Sequence, residues 1–177
     1  MFTLVIGGSA SGKSEFAEQL TLSLDGPRLY IATMEPFGEE AHARIARHRT
    51  ARRERGFETI DNYVNLSSLE IPEGANALLE DLGNLAANEL FRPDGDIRTV
   101  VPGIEHLLAR CRHLTVVTNE VFSGGKDYEG ETLRYLRELA QINRTLAARA
   151  DRVVEVVCGR PLIYKGSLPQ RKDAAKN

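Results

Sequence analysis

Apolar residues along this chain come in two rhythms that alternate from one end to the other. Short, mostly apolar runs at Phe2–Ile6, Arg28–Ala32, Ala77–Glu80, Leu114–Asn119 and Arg152–Cys158 have the length and composition of strands buried on both faces. Longer amphipathic stretches separate them: Lys13–Leu24, Glu39–Arg55, Asp81–Phe91, Arg98–Cys111 and Gly130–Arg149. In the last of these, Leu133, Leu136, Leu139, Ala140, Ile142 and Leu146 fall on one side, so it is expected to pack on a sheet. Strand and helix in strict alternation predict a parallel α/β sheet flanked by helices. Arg92–Asp96 reads as a solvated turn, and Ser123–Asp127 as a glycine-rich loop at the C-terminal end of a strand, where such sheets place ligands. No repeat or low-complexity tract interrupts the pattern. Residues 1–169 read as one domain and the polar Gln170–Asn177 as a frayed tail.

One junction between strand and helix carries specific chemistry. Gly7, Gly8, Ser9, Ala10, Ser11, Gly12, Lys13 and Ser14 fit the phosphate-loop pattern G-x-x-x-x-G-K-[ST], directly after the first strand and opening the first helix. Glycines let successive backbone N–H groups turn toward phosphate oxygens, and the helix N-terminus adds positive potential. Lys13 is placed to reach the β- and γ-phosphates, and the Ser14 hydroxyl to hold Mg²⁺. A second acidic element is expected in such folds, and Leu78-Leu79-Glu80-Asp81 ends a strand in two carboxylates. Asp81 is equally suited to cap the next helix, so Glu80 is the expected metal-side residue.

The 177 residues are 42% hydrophobic and 27% charged with a formal net charge of −2, ordinary for a globular enzyme and without pull toward nucleic acid. No apolar run reaches the ~20 residues needed to span a bilayer. Cys111 and Cys158 form no metal or disulfide pattern and read as buried, reduced thiols of a cytoplasmic protein.

The segment His42–Arg55 concentrates six arginines and two histidines against one acid. A solvated basic helix, a nucleic-acid surface and a helix presenting cations to a bound triphosphate all fit that composition. Arg44, His48 and Arg52 share one helix face, so neighbouring cations disfavour the protonated imidazole and leave His48 a usable nucleophile. On spacing alone, a structural histidine is the commoner case.

At this point the chain resembles the bifunctional adenosylcobinamide kinase / adenosylcobinamide-phosphate guanylyltransferases of cobalamin biosynthesis. The landmarks are the opening Gly-Gly-x-x-Ser-Gly-Lys-Ser loop, Tyr30-Ile31-Ala32-Thr33, Arg44-Ile45-Ala46-Arg47-His48-Arg49, Leu78-Leu79-Glu80, Val117-Thr118-Asn119-Glu120-Val121 and Asn143-Arg144-Thr145-Leu146-Ala147. The resemblance implies a single-domain α/β P-loop NTPase of RecA-like type. Its implied first reaction phosphorylates adenosylcobinamide with ATP or GTP. In the second, a histidine takes GMP from GTP and passes it to adenosylcobinamide phosphate, and His48 matches that histidine. Thr33, Arg49, Arg52, Asp61 and Glu80 fall on or near nucleotide-contacting positions, with Mg²⁺ at Ser14 and Glu80. A homotrimer is implied in the same way.

The chain departs from the family pattern at Ala10, where arginine is common, and along Phe122–Asp127, where Gly-x-Gly-Ile-Val-Pro is usual. A single-activity kinase of another hydroxyl substrate and a nucleotide-dependent regulator are the competing readings. An Asn-Lys-x-Asp guanine-reading motif, which would favour a GTPase switch, is absent.

Overall fold

A computed structural model of the chain describes residues 1–36, 39–125 and 127–168, and the side chains of these except 39–45. Arg44, Lys126 and the Gln170–Asn177 tail therefore carry expectations that lie, in side chain or in whole, outside the described residues. The elements are β1 (Phe2–Gly7), α1 (Lys13–Leu22), β2 (Arg28–Ala32), α2 (Glu39–Glu54), β3 (Phe57–Asp61), β4 (Asn76–Glu80), α3 (Leu82–Phe91), α4 (Val100–Arg110), β5 (His113–Asn119), α5 (Gly130–Arg149), β6 (Arg152–Val157) and β7 (Arg160–Lys165). They form one seven-stranded sheet in the order β3-β2-β4-β5-β1-β6-β7. All neighbouring strands are parallel except β6 and β7, which are antiparallel.

Side-chain alternation sorts the apolar runs into two layers. Leu4, Leu29, Ile31, Leu79, Leu114 and Val116 pack with buried leucines and isoleucines of α3, α4 and α5 on one face. Val5, Tyr30, Leu78, Val117 and Val156 pack with Phe57 and with Ala17 and Phe16 of α1 on the other. Burying each such leucine or isoleucine is worth about 1.5–3 kcal/mol, so the central strands read as unbroken apolar runs because both faces demand it.

Two strands were not expected. In β3, Phe57 is buried but Glu58 and Asp61 are exposed, a mixed pattern natural to a sheet edge. In β7, all six residues are exposed and Pro161 interrupts, so no core-facing rhythm announces it. Cys158 was expected in a buried strand; it is exposed, in the turn between β6 and β7, with φ 49° beside Gly159 at φ 73°. Two consecutive positive φ values make the two-residue connection whose twist suits a hairpin. The fourth helix starts later than Arg98, because Ile97–Thr99 form a 3₁₀ turn in which the Arg98 N–H donates to the Asp96 carboxylate at 3.0 Å.

Candidate functional site

Register brings the site together at the C-terminal edge of the sheet. Gly7 pairs with Asn119 across β1 and β5, and Ala32 pairs with Glu80 across β2 and β4. The phosphate loop therefore emerges mid-sheet, with the ends of β4 and β5 beside it, the usual ligand edge of an open α/β sheet.

The loop is held by its own backbone and by the β6–β7 turn. Ser11 N–H donates to the Gly8 carbonyl at 3.3 Å, and Phe16 N–H to the Gly12 carbonyl at 3.0 Å. Gly12 has φ 91°, a left-handed conformation that disfavours any side chain, and a Cβ there would stand 3.2 Å from the Gly159 Cα. A Cβ on Gly7 would collide with the Ser11 Oγ. Lys13 is 8% exposed, with Nζ donating to the Gly8 carbonyl at 3.2 Å, so its ammonium is folded back over the loop. Ser9 and Ala10 are exposed at the tip, and Ala10 has φ 54°.

The two carboxylates that end β4 take different roles. The Asp81 Oδ1 accepts from Asn84 N–H at 2.7 Å and caps α3. Glu80 turns to the loop, its Oε1 accepting from the Ser14 hydroxyl at 2.5 Å. Its Oε2 is buried without a hydrogen-bond partner among the described residues. Burial pushes the Glu80 carboxyl up to about 7, the Ser14 hydroxyl opposes this, Asp81 adds to it, and Lys13 opposes it. A hydroxyl and an uncompensated carboxylate oxygen, facing each other beside a phosphate loop, form an oxygen donor set that suits Mg²⁺.

Thr33, at the end of β2, is fully buried. Its hydroxyl donates to the Asp81 carbonyl at 2.7 Å and its N–H to the Glu80 carbonyl at 3.1 Å, so it braces the β4 terminus. The Thr33 carbonyl accepts from Asn88 Nδ2 of α3 at 2.8 Å, and the same amide reaches the Tyr63 carbonyl at 3.0 Å.

The basic helix lies with its C-terminal half fastened to the sheet edge. Arg49 pairs with Asp61 of β3 at 3.0 Å. The Arg52 guanidinium stacks 3.6 Å from the centre of the Tyr30 ring, a cation–π contact, and Arg55 pairs with Glu18 of α1 at 2.5 Å. His48 is exposed, and no hydrogen bond or ion pair joins it to the phosphate loop among the described residues. The loop, Ser14, Lys13, Glu80 and Thr33 thus form one cluster. Arg49 with Asp61, and Arg52 with Tyr30, form a second, on α2 and the strands it covers, and His48 stands exposed on the same helix. A groove of about 530 Å³ lined by Arg49, Thr50, Arg53, Phe57 and Glu58 runs along β3 in that second cluster. Four strand spacings, about 19 Å, separate β3 from β1.

Sequence reasoning missed several supporting residues. Asn88 and Glu89 hold the loops after β2 and β3. Thr118 donates to the Asn143 amide oxygen at 2.8 Å and ties the ligand-side end of β5 to α5. Gly159 N–H donates to the Ser11 carbonyl at 2.8 Å. For Glu89 a signal existed: it is an acid in line with Leu82, Leu85 and Ala86 on the apolar stripe of α3.

Residues 3–163 match the family model described as cobinamide kinase / cobinamide phosphate guanyltransferase. The chain belongs to this family. Among its members, the bifunctional adenosylcobalamin biosynthesis protein CobU of Escherichia coli (strain K12) is 34% identical over 178 residues, covering 90% of this chain and 97% of that one. The CobU protein of Salmonella typhimurium (strain LT2) is also 34% identical, over 179 residues with the same coverage. The bifunctional adenosylcobalamin biosynthesis protein CobP of Pseudomonas aeruginosa (strain PAO1) is 30% identical over 174 residues, covering 94% of this chain and 98% of that one. Among solved structures, the flagellar accessory protein FlaH from Methanocaldococcus jannaschii aligns with a TM-score of 0.54 at 12% identity, over 95% of this chain and 81% of that one. That likeness concerns the fold alone, and the family member here has the single-domain P-loop NTPase architecture.

Proposed function

We propose that this chain phosphorylates adenosylcobinamide and then transfers GMP to the product, giving adenosylcobinamide-GDP. The observation that carries the reading is the Ser14–Glu80 pair at the mouth of the phosphate loop, in a chain whose family model names both activities. In the kinase step, the loop N–H groups and Lys13 hold the phosphates of ATP or GTP. The substrate hydroxyl oxygen bonds to the γ-phosphorus as the bond to the bridging oxygen breaks; the nucleoside diphosphate leaves and the hydroxyl proton passes to solvent. Ser14 and Glu80 would hold Mg²⁺, which supplies charge neutralisation to the phosphates.

In the second step, a nitrogen of His48 bonds to the α-phosphorus of GTP and pyrophosphate departs, leaving GMP on the imidazole. A phosphate oxygen of adenosylcobinamide phosphate then takes the same phosphorus, the P–N bond breaks, and His48 is free again. Arg49 and Arg52, next to His48 on α2, are suited to neutralise the departing pyrophosphate. No helix among the described residues is long and apolar enough to cross a membrane. A cytoplasmic homo-oligomer, a trimer by resemblance, completes the proposal.

The test is covalent labelling with GTP carrying the label in its α-phosphate, with Mg²⁺ present and His48→Ala alongside. Acid-labile label on the wild type that vanishes in the variant supports the GMP–histidine intermediate. Exposure of His48 and the engagement of Arg49 and Arg52 on β3 and β2 favour one second reading, a kinase alone. Phosphorylation of adenosylcobinamide without any label would establish it.

A further inference from the structure

The phosphate loop is poor in positive charge. Between Gly7 and Ser14, Lys13 is the single cation, and its Nζ is drawn back to the Gly8 carbonyl. A magnesium-bound triphosphate keeps net negative charge that one ammonium does not neutralise. The far end of the chain brings a further cation next to the packed backbone of the loop. Gly159 N–H is bonded to the Ser11 carbonyl at 2.8 Å, and the Gly159 Cα lies against Gly12. A Cβ on Gly7 would stand 2.8 Å from the Val156 carbonyl, so the β6–β7 hairpin seats on the loop at three points. The next residue is Arg160. Its side chain is exposed and has no ion-pair or hydrogen-bond partner among the described residues, whereas those of Arg49, Arg55, Arg92 and Arg98 all do. The turn that delivers it keeps Cys158 at φ 49°, a conformation costly outside glycine and held here by the packing of the hairpin on the loop.

We propose that Arg160 is the second cation of the phosphate site, lent by the β6–β7 hairpin to the distal phosphates of a nucleoside triphosphate. It rests on the nucleotide chemistry proposed above. Its guanidinium donates to γ-phosphate oxygens, so its contribution appears with triphosphates and not with diphosphates.

Binding of Mg·GTP and Mg·GDP is measured by calorimetry on wild type, Arg160→Ala, Arg160→Lys and Lys13→Ala, with thermal melts of each. Arg160→Ala is expected to weaken Mg·GTP about ten- to a hundredfold while leaving Mg·GDP within about twofold and the melt unchanged. Arg160→Lys, which keeps charge without the fork, falls between. If Lys13→Ala loses both nucleotides but Arg160→Ala loses neither, the arginine assignment is overturned and the loop reading stands. If Lys13→Ala also binds both nucleotides as the wild type does, the underlying loop reading itself fails. Equal weakening of Mg·GTP and Mg·GDP in Arg160→Ala would likewise overturn the proposal, since it marks loop support and not γ-phosphate contact.

Discussion

Glu89 offers a quantitative check on how the loops around the site are held. Its side chain is 3% exposed, inside the apolar stripe of α3, and three segments converge on it. One oxygen accepts from Asn65 N–H at 2.6 Å and from the Thr99 hydroxyl at 2.9 Å; the other accepts from Asp96 N–H at 2.9 Å. Glu89→Ala leaves two backbone N–H groups without an acceptor, each worth about 1–3 kcal/mol when buried. Thr99 adds little, because its single hydroxyl proton has the Asp96 carbonyl, 2.7 Å away, as an alternative acceptor. Water entering the vacated space recovers part of the loss, so about 3 kcal/mol is expected. For a chain of this length that corresponds to a melting temperature about 6–12 °C lower. Glu89→Gln keeps one acceptor oxygen and turns an amide N–H₂ toward the other donor, so about half the loss is expected. Urea unfolding of the three proteins, with amide exchange followed at Asn65 and Asp96, measures both effects. Stability of the alanine variant within about 0.5 kcal/mol of wild type would refute the account, since that is the range of a surface change.

Gly12→Ala places a side chain at φ 91° and 3.2 Å from the Gly159 Cα, so a loss of about 1–3 kcal/mol is expected together with weaker nucleotide binding; a melt and a nucleotide affinity equal to wild type would show that the hairpin does not confine the loop. The His113 imidazole is held below its ordinary pKa by burial, then by the N-terminal ammonium, Arg112 and Arg152. The unfolded chain therefore binds its proton more readily than the fold does. Stability from this group is full above about pH 6.5 and falls as the pH drops below that value toward the depressed folded pKa. His113→Gln should accordingly lose less stability between neutral and mildly acidic pH than wild type in urea titrations; parallel curves would remove His113 as the cause.

The phosphate-loop cluster was legible because its chemistry is local. A glycine-rich turn, a lysine and a serine at fixed spacing announce themselves, and an apolar strand ending in Glu80-Asp81 leaves few roles to divide. The five strands with a core-facing pattern were legible for the same reason, since both faces of β1, β4 and β5 are covered. The edges were not, because β3 and β7 owe their pairing to one neighbour and their side chains to solvent. The partners of the Arg-rich helix were equally hidden. Arg49, Arg52 and Arg55 engage Asp61, Tyr30 and Glu18, residues 12, 22 and 37 positions away, and nothing in helical spacing names such contacts.

The position of β1 decides when the site comes into being during synthesis. The strand that ends in the phosphate loop is made before the other strands of the sheet, yet its two neighbours are β5 and β6, more than a hundred residues later in the chain. Local contacts form early on the ribosome, whereas pairing at such separation waits on the closing of long loops. The helices and the β2–β3–β4 half of the sheet can assemble while β1 still lacks both partners. The hairpin that seats on the loop emerges later still. The loop thus gains its framing well after its own synthesis, and a chain halted before β6 carries the whole motif without the sheet that gives it shape.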